Sequence, residues 1–215
     1  VTIVHAGPHI LDREDEDVAA EVTAGLEALG VTVLAGAPAS KVAAAADGNG
    51  VVVTTADGHE VSGSHLLVAL GRTPVTAGLG LEAVGIETDE SGAIPVDAFS
   101  QTSVASIYAV GDVTNRAALT PIAIREGHAF ADTVFGGRPW AVNHELIATA
   151  VFSTPEIGTV GLTEEQARER FETIDVYKSS FRPMKATLSG SAERVLMKII
   201  VDCASDRVLG VHIVG

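Results

Sequence analysis

The run Ile107-Tyr108-Ala109-Val110-Gly111-Asp112-Val113, followed closely by Leu119-Thr120-Pro121, constrains this chain more than any other stretch. Residues 107–110 form a short apolar run of the kind a buried strand shows, and Gly111 permits a sharp turn at its end. Asp112 then projects from the carboxyl end of that strand. In open α/β sheets ligands sit at this edge, and an acidic side chain there accepts hydrogen bonds from sugar-type hydroxyls. Thr120 is suited to cap the next helix and Pro121 to its first turn. The unpaired N–H groups of such a helix start face an anion or a carbonyl oxygen. The combination suits a polar cofactor; a plain turn after a strand is the alternative that the motif alone leaves open.

The flanking sequence supplies the frame. Residues 1–4 read as a strand. Residues 14–29 read as a helix, because Val18, Val22, Leu26 and Leu29 recur at helical spacing, and Gly30 closes it. Residues 31–34 complete a strand–helix–strand unit of nucleotide-domain type. Three short β segments, 41–46, 51–55 and 65–70, follow with turns at Gly48-Asn49-Gly50 and Asp57-Gly58, a β-meander that ends at Gly71. Beyond it the chain is punctuated by glycine and proline until the 107–110 strand. A helix over 121–135 comes next and stops at Gly136-Gly137-Arg138-Pro139. From Asn143 onward strands at 148–152, 159–162, 174–181, 195–202 and 208–214 accompany one helix. That helix is opened by Thr163-Glu164-Glu165-Gln166, which has the capping-box form.

Bulk properties exclude several classes. A formal charge of −14 argues against a nucleic-acid partner, which needs a basic footprint. With 47% hydrophobic residues the chain has ample core material, yet no apolar span reaches membrane length and no signal peptide opens it. No membrane partner is expected, and the cytoplasm is the expected compartment. Cys203 is the single cysteine, so these residues hold no disulfide framework and no redox pair; it reads as a small buried or edge residue without catalytic consequence. The stretch from Gly78 to Gly85 is set aside as a dinucleotide fingerprint, since its last glycine falls one residue late and no strand precedes it.

Four motifs then occur in one order: Ala69-Leu70-Gly71-Arg72-Thr73-Pro74; Ile107-Tyr108-Ala109-Val110-Gly111-Asp112; Leu119-Thr120-Pro121-Ile122-Ala123 with Arg125-Glu126-Gly127; and the stretch from Ala150-Val151-Phe152-Ser153-Thr154-Pro155-Glu156-Ile157-Gly158 through Thr159-Val160-Gly161-Leu162-Thr163-Glu164-Glu165. On these residues the chain resembles the class I pyridine nucleotide-disulfide oxidoreductases, and within them the bacterial glutathione reductases. The resemblance implies an α/β chain: partial Rossmann-like nucleotide-binding domains with a β-meander, followed by part of an α+β dimerisation domain. Residues 1–70 would be the second half of an NAD(P)H-binding domain, 71–140 the carboxyl-terminal part of an FAD-binding domain, and 141–215 the first part of the interface domain. Starting inside a strand at Val1, the chain reads as an internal fragment that retains FAD weakly or not at all by itself.

The same resemblance implies roles. Gly111 and Asp112 match the turn that bonds the flavin ribityl chain, and Ala118, Leu119 and Thr120 match the helix start facing the flavin pyrimidine carbonyl, where a positive helix end stabilises added electron density. Arg72 matches an arginine near the nicotinamide nucleotide, with a surface ion pair as its plain alternative. His5 occupies the strand end where a carboxylate reads the ribose of NAD and arginines read the extra phosphate of NADP. Arg13 could reach that phosphate or pair with Glu14 and Asp15 at the helix start. His128 falls where relatives carry an arginine toward the substrate, with an ordinary helix-face histidine as the alternative. No metal set and no catalytic residue is assigned, because the family's cysteine pair and its carboxyl-terminal His–Glu pair are not among these residues. The implied activity is passage of hydride equivalents from NADPH, with NADH not excluded, through FAD to glutathione disulfide in a homodimer held by the carboxyl-terminal domain. A dihydrolipoamide dehydrogenase or mercuric reductase relative, suggested by Ile10-Leu11-Asp12-Arg13-Glu14-Asp15, and a non-catalytic nucleotide-binding or dimerisation module stay open.

Overall fold

Along the chain, the computed structural model describes residues 1–215. It runs from β1 (Thr2–Val4) and α1 (Glu16–Ala28) to β2 (Thr32–Leu34), β3 (Ala39–Ala44), β4 (Val51–Thr55) and β5 (Glu60–Gly63). After a long irregular stretch come α2 (Thr120–Val134), β6 (Thr149–Val151), β7 (Ile157–Gly161), α3 (Glu164–Arg170), β8 (Ile174–Phe181), α4 (Met184–Ser189), β9 (Val195–Asp202) and β10 (Arg207–Val214). The contacts divide the chain into two compact units, Val1–Leu67 with Ala148–Gly215, and Val68–Ile147. The expected α/β class, with its meander and its α+β segment, is present in these elements.

In the first unit β1 and β2 pair in parallel, Thr2 with Thr32 and Val4 with Leu34, which is the strand–helix–strand unit expected. Helix α1 begins two residues later than the apolar period suggests, because Asp15 takes the N-cap and accepts from the Asp17 N–H at 3.1 Å. Its buried stripe, Val18, Ala19 and Val22, packs against a five-stranded antiparallel sheet of order β6-β7-β10-β9-β8. Ile10, Val18 and Val22 share one core with Ile157, Leu196 and Val214. A second core, Ala167, Ile200 and Leu209, joins α3 to β9 and β10. Gly161 is required where β7 turns toward α3: at φ +85° its absent side chain lets the Leu209 carbonyl approach, and a Cβ there would come within 2.2 Å of that oxygen.

At the centre of this unit stands a buried charge. Lys198 on β9 is 1% exposed, and its Nζ lies 2.7 Å from Asp15 Oδ1, 2.5 Å from Asp17 Oδ2 and 2.8 Å from Glu164 Oε2. Asp15 also accepts from the Glu164 N–H at 2.9 Å, so one carboxylate serves the starts of α1 and α3 together. Burial alone would push the ammonium down, but its hydrogen bonds to the three carboxylates hold it above the ordinary lysine range. The Lys198 hydrogen bond lowers Glu164. Burial works to raise Asp17, but bonds from Lys178 and Lys198 outweigh it and lower that group too. Helix α3 carries the expected capping box, Thr163 accepting from the Gln166 N–H and Gln166 Oε1 from the Thr163 N–H.

Three expectations are corrected. The third meander strand is β5, not residues 65–70: the tight turn at Asp57-Gly58 sets the register, so Val61 pairs with Val53 directly after it. Leu67, Val68 and Leu70 are exposed and belong to no strand. Helix α4 escaped the sequence reading because only Ala186 in its six residues is buried, while Met184 and Leu188 face solvent. Cys203 is exposed, in the turn between β9 and β10, rather than a buried or edge residue.

Replacing Lys198 with methionine leaves Asp15 buried without its cation, and should cost about 3–5 kcal/mol in denaturant unfolding of the chain. Asp17 and Glu164 titrate below their ordinary values in the folded chain. Their contribution is complete above the ordinary carboxylate range and is lost as pH falls through the lowered values. Stability of the Lys198→Met variant should therefore fall less steeply on acidification than that of the parent. An unchanged acid limb would mean that Lys198 does not set these two groups.

Candidate functional site

The second unit is organised around the run that opened the sequence reading. Ile107 and Val113 pack with Ile86, Ile94 and Ala109 in its core. Residues 107–110 are extended but do not form the expected strand: the only ladder contact is a bridge between Gln101 and Tyr108. Hydrogen bonds to residues 97–104 replace a sheet, with Thr102 N–H donating to Ile107 O and Ala109 N–H to Ser100 O, each at 3.0 Å. At Gly111 the chain turns with φ +74° into a 3-10 helix, Gly111–Thr114. A Cβ at Gly111 would stand 3.1 Å from Ala123 Cβ on α2, so this glycine lets the turn lie against the helix as well as adopt its angle.

What fixes the turn is a group the sequence reading did not assign. Glu126 lies on the buried stripe of α2 with Ile122 and Ala129, and is 1% exposed. Its Oε2 accepts from the Gly111 N–H at 2.6 Å. Its Oε1 lies 2.9 Å from Arg116 Nη2 and 2.6 Å from His144 Nε2, which donates as the N–H-bearing nitrogen. Arg116 continues to Ser100 Oγ at 2.8 Å, and Thr114 Oγ1 donates back to Gly111 O at 2.8 Å. A carboxylate on an otherwise apolar helix stripe was the available signal, since such a group is buried only when paired.

Asp112 is left free by this network to face outward. Its carboxyl is half-exposed and meets only Arg72, Nη2 to Oδ2 at 2.8 Å, on a guanidinium that is largely in solvent. The structure thus joins two of the predicted site residues in the surface ion pair that was the alternative for Arg72. Helix α2 begins one residue earlier than expected. Leu119 is its N-cap, with extended backbone and no side-chain cap, so Thr120 is the first helical residue and does not cap. Ile122 and Ala123 N–H groups both donate to Leu119 O, and the stretch Ala118-Leu119-Thr120 enters the helix without a capping side chain. The helix start thus leaves its first N–H groups without a capping side chain, and the Asp112 carboxyl keeps accepting capacity beyond Arg72.

The remaining candidates stand apart. His128 is exposed on α2 and carries no ion pair. His5 belongs to the first unit, where its N–H donates to Leu34 O at 2.9 Å and its Nε2 lies 3.5 Å from Asp12 Oδ2. Arg13 is exposed and makes no ion pair with Glu14 or Asp15; the latter is committed to Lys198. His212 is buried between Thr159 Oγ1 and Leu162 O, at 2.5 and 2.9 Å, as a structural group.

Comparison with known proteins gives one answer. Residues 1–127 match the family described as pyridine nucleotide-disulphide oxidoreductase, and residues 147–215 match that family's dimerisation domain. The whole chain is 46% identical to a glutathione reductase of Burkholderia cepacia, of which it covers 47%, and 42% identical to a trypanothione reductase of Trypanosoma congolense, of which it covers 44%. Among solved structures, it superposes with a TM-score of 0.86 and 31% identity on the HOCl-induced flavoprotein disulfide reductase RclA from Escherichia coli, over 99% of this chain and 48% of that one. The chain therefore spans about half the length of the curated relatives it matches.

Replacing Glu126 with alanine leaves the Arg116 cation and the Gly111 N–H without their acceptor, and should destabilise the chain by about 3–5 kcal/mol. Glu126→Gln keeps one acceptor and should retain part of that. Urea unfolding checks both, and faster amide exchange at Gly111 in the glutamine variant locates the effect at the turn. A loss under about 1 kcal/mol for the alanine variant would show that Glu126 does not anchor it.

Proposed function

Since the chain belongs to the pyridine nucleotide-disulphide oxidoreductase family, we propose that the whole protein is an FAD-dependent disulfide reductase that uses a nicotinamide nucleotide to reduce glutathione disulfide. The observation that carries this reading is the Gly111-Asp112 turn, locked by Glu126 and followed along the chain by the uncapped start of α2. These residues fit one side of a flavin nucleotide: Gly111 clears the approach to α2, and the half-exposed Asp112 carboxylate is placed to accept from hydroxyls. When bound, FAD supplies the two-electron relay between a nicotinamide and a dithiol.

In this reading Asp112 binds the ribityl hydroxyls, and the N–H groups of the Ala118-Leu119-Thr120 helix start face the pyrimidine carbonyl. The positive end of α2 favours negative charge there. Arg72 lies near the nicotinamide nucleotide and shares Asp112 with the flavin hydroxyls. His128, exposed and free of ion pairs on α2, is the substrate contact to test. The dithiol is supplied by residues other than these 215, whose one cysteine is Cys203.

The protein acts as a homodimer in the cytoplasm, where thiols are kept reduced. Support for the homodimer comes from one face of the five-stranded sheet: Tyr177 pairs with Ile199, and Met197 with Ile213, and all four side chains are exposed. No helix is long and apolar enough to cross a membrane.

The test is turnover of the whole protein with glutathione disulfide, trypanothione disulfide and lipoamide, each with NADH and NADPH. Fastest reduction of glutathione disulfide is expected; fastest reduction of lipoamide would overturn the substrate. Asp112→Ala should weaken FAD retention about ten- to hundredfold through loss of charge-assisted hydrogen bonds, read by flavin release on gel filtration.

A further inference from the structure

The carboxyl end of β1 is the position at which a parallel nucleotide-binding unit reads the adenosine ribose. Here it is closed by backbone bonds, His5 N–H to Leu34 O and Ala37 N–H to His5 O, each 2.9 Å, and Gly36 N–H to Gly7 O at 2.6 Å. Over this cradle His5 Nε2 and Asp12 Oδ2 face each other at 3.5 Å, too far for a hydrogen bond. Both atoms lie 2.8 Å from where a Cβ of Gly7 would stand, so the glycine is what lets the two side chains meet. His5 Nε2 is itself shielded from solvent and has no hydrogen-bond partner. The site thus combines an acceptor carboxylate with an unsatisfied ring nitrogen.

A ribose 2′-hydroxyl both donates and accepts, and so matches that pair: it donates to Asp12 and pairs with His5 Nε2. A 2′-phosphate offers only acceptors and close to two negative charges, and it would face Asp12. The loop carries little to offset that. His9 turns its Nδ1 to Ile10 O at 3.1 Å, and Arg13 is exposed and unpaired, while Asp12, Glu14, Asp15, Glu16 and Asp17 follow one another around it. Lys198 pairs with Asp15 and Asp17 but is buried, and Lys178 is committed to Asp17 at 2.6 Å. Two-arginine recognition of a phosphate, with its bidentate geometry, has no counterpart here.

We infer that this loop takes an unphosphorylated ribose, so that NADH and not NADPH is the hydride donor, with Asp12 as the residue that sets the choice. The inference rests on the reading of the protein as a nicotinamide nucleotide oxidoreductase. Calorimetric titration of the whole protein with ADP-ribose and with 2′-phospho-ADP-ribose tests it, alongside kcat/KM for NADH and NADPH. ADP-ribose should bind about tenfold or more tighter, and kcat/KM should follow the same order. Asp12→Asn should bring the two ligands toward parity, and Asp12→Arg should reverse them, while Arg13→Ala leaves the ratio within about threefold. Tighter binding of the 2′-phospho ligand by the unaltered protein, lost in Arg13→Ala, overturns the inference and leaves the nicotinamide reading standing. Binding of neither ligand overturns both.

Discussion

A single buried ammonium holds the larger unit together. Lys198 comes from the middle of β9, and its partners come from the starts of α1 and α3, separated from it by up to 183 residues of chain. A buried cation is costly unless every hydrogen is placed, and here Asp15, Asp17 and Glu164 each take one. The helices can therefore dock on the sheet in one register only: sliding α1 by a turn would leave a charge unpaired. Apolar contacts between Val18, Val22 and Leu196 supply the driving force, and the ion cluster supplies the position.

The smaller unit repeats the device with the sign reversed. Glu126 is its buried charge, and it is met by Arg116, His144 and the Gly111 N–H. The consequence for the site is direct. Because the carboxylate grips the backbone of Gly111 and not its neighbour's side chain, Asp112 is aimed without being used up. A turn held from behind in this way presents its side chain to a ligand with little freedom to lose on binding.

How much of this was legible depends on whether the deciding contacts were local. Strands 174–181 and 195–202 coincide with the expected spans, because alternation and the bounding turns are written in consecutive residues. The Thr163 capping box and the Asp57-Gly58 hairpin were legible for the same reason. Residues 65–70 misled because Leu66, Leu67 and Leu70 look like strand residues, and nothing local says that no partner strand reaches them. Residues 107–110 are extended as the sequence suggests, but their neighbours are loop carbonyls and not a ladder. Glu126 stood in a quoted motif, yet its role needed Arg116 and His144 brought to it by tertiary folding. The motif gave the position of Asp112, and only the folded chain shows what holds it.

Burial separates the charges that build this protein from those available to a ligand. Lys198 and Glu126 are 1% exposed and each serves three partners, so both are committed to the fold. Arg72 with Asp112 is a half-open contact at a turn beside a glycine, and an exposed ion pair of this kind contributes about 0–1 kcal/mol to folding, while His5 and Asp12 only face each other at 3.5 Å. Asp112 is half-exposed on the turn that precedes α2, and Asp12 lies in the loop that joins the parallel strand β1 to α1. Neither carboxylate is enclosed by the group facing it: the Arg72 guanidinium is largely in solvent, and His5 Nε2 stands 3.5 Å from Asp12, beyond hydrogen-bond reach, so both keep accepting capacity that the buried Asp15 has committed to Lys198 and the Glu164 N–H.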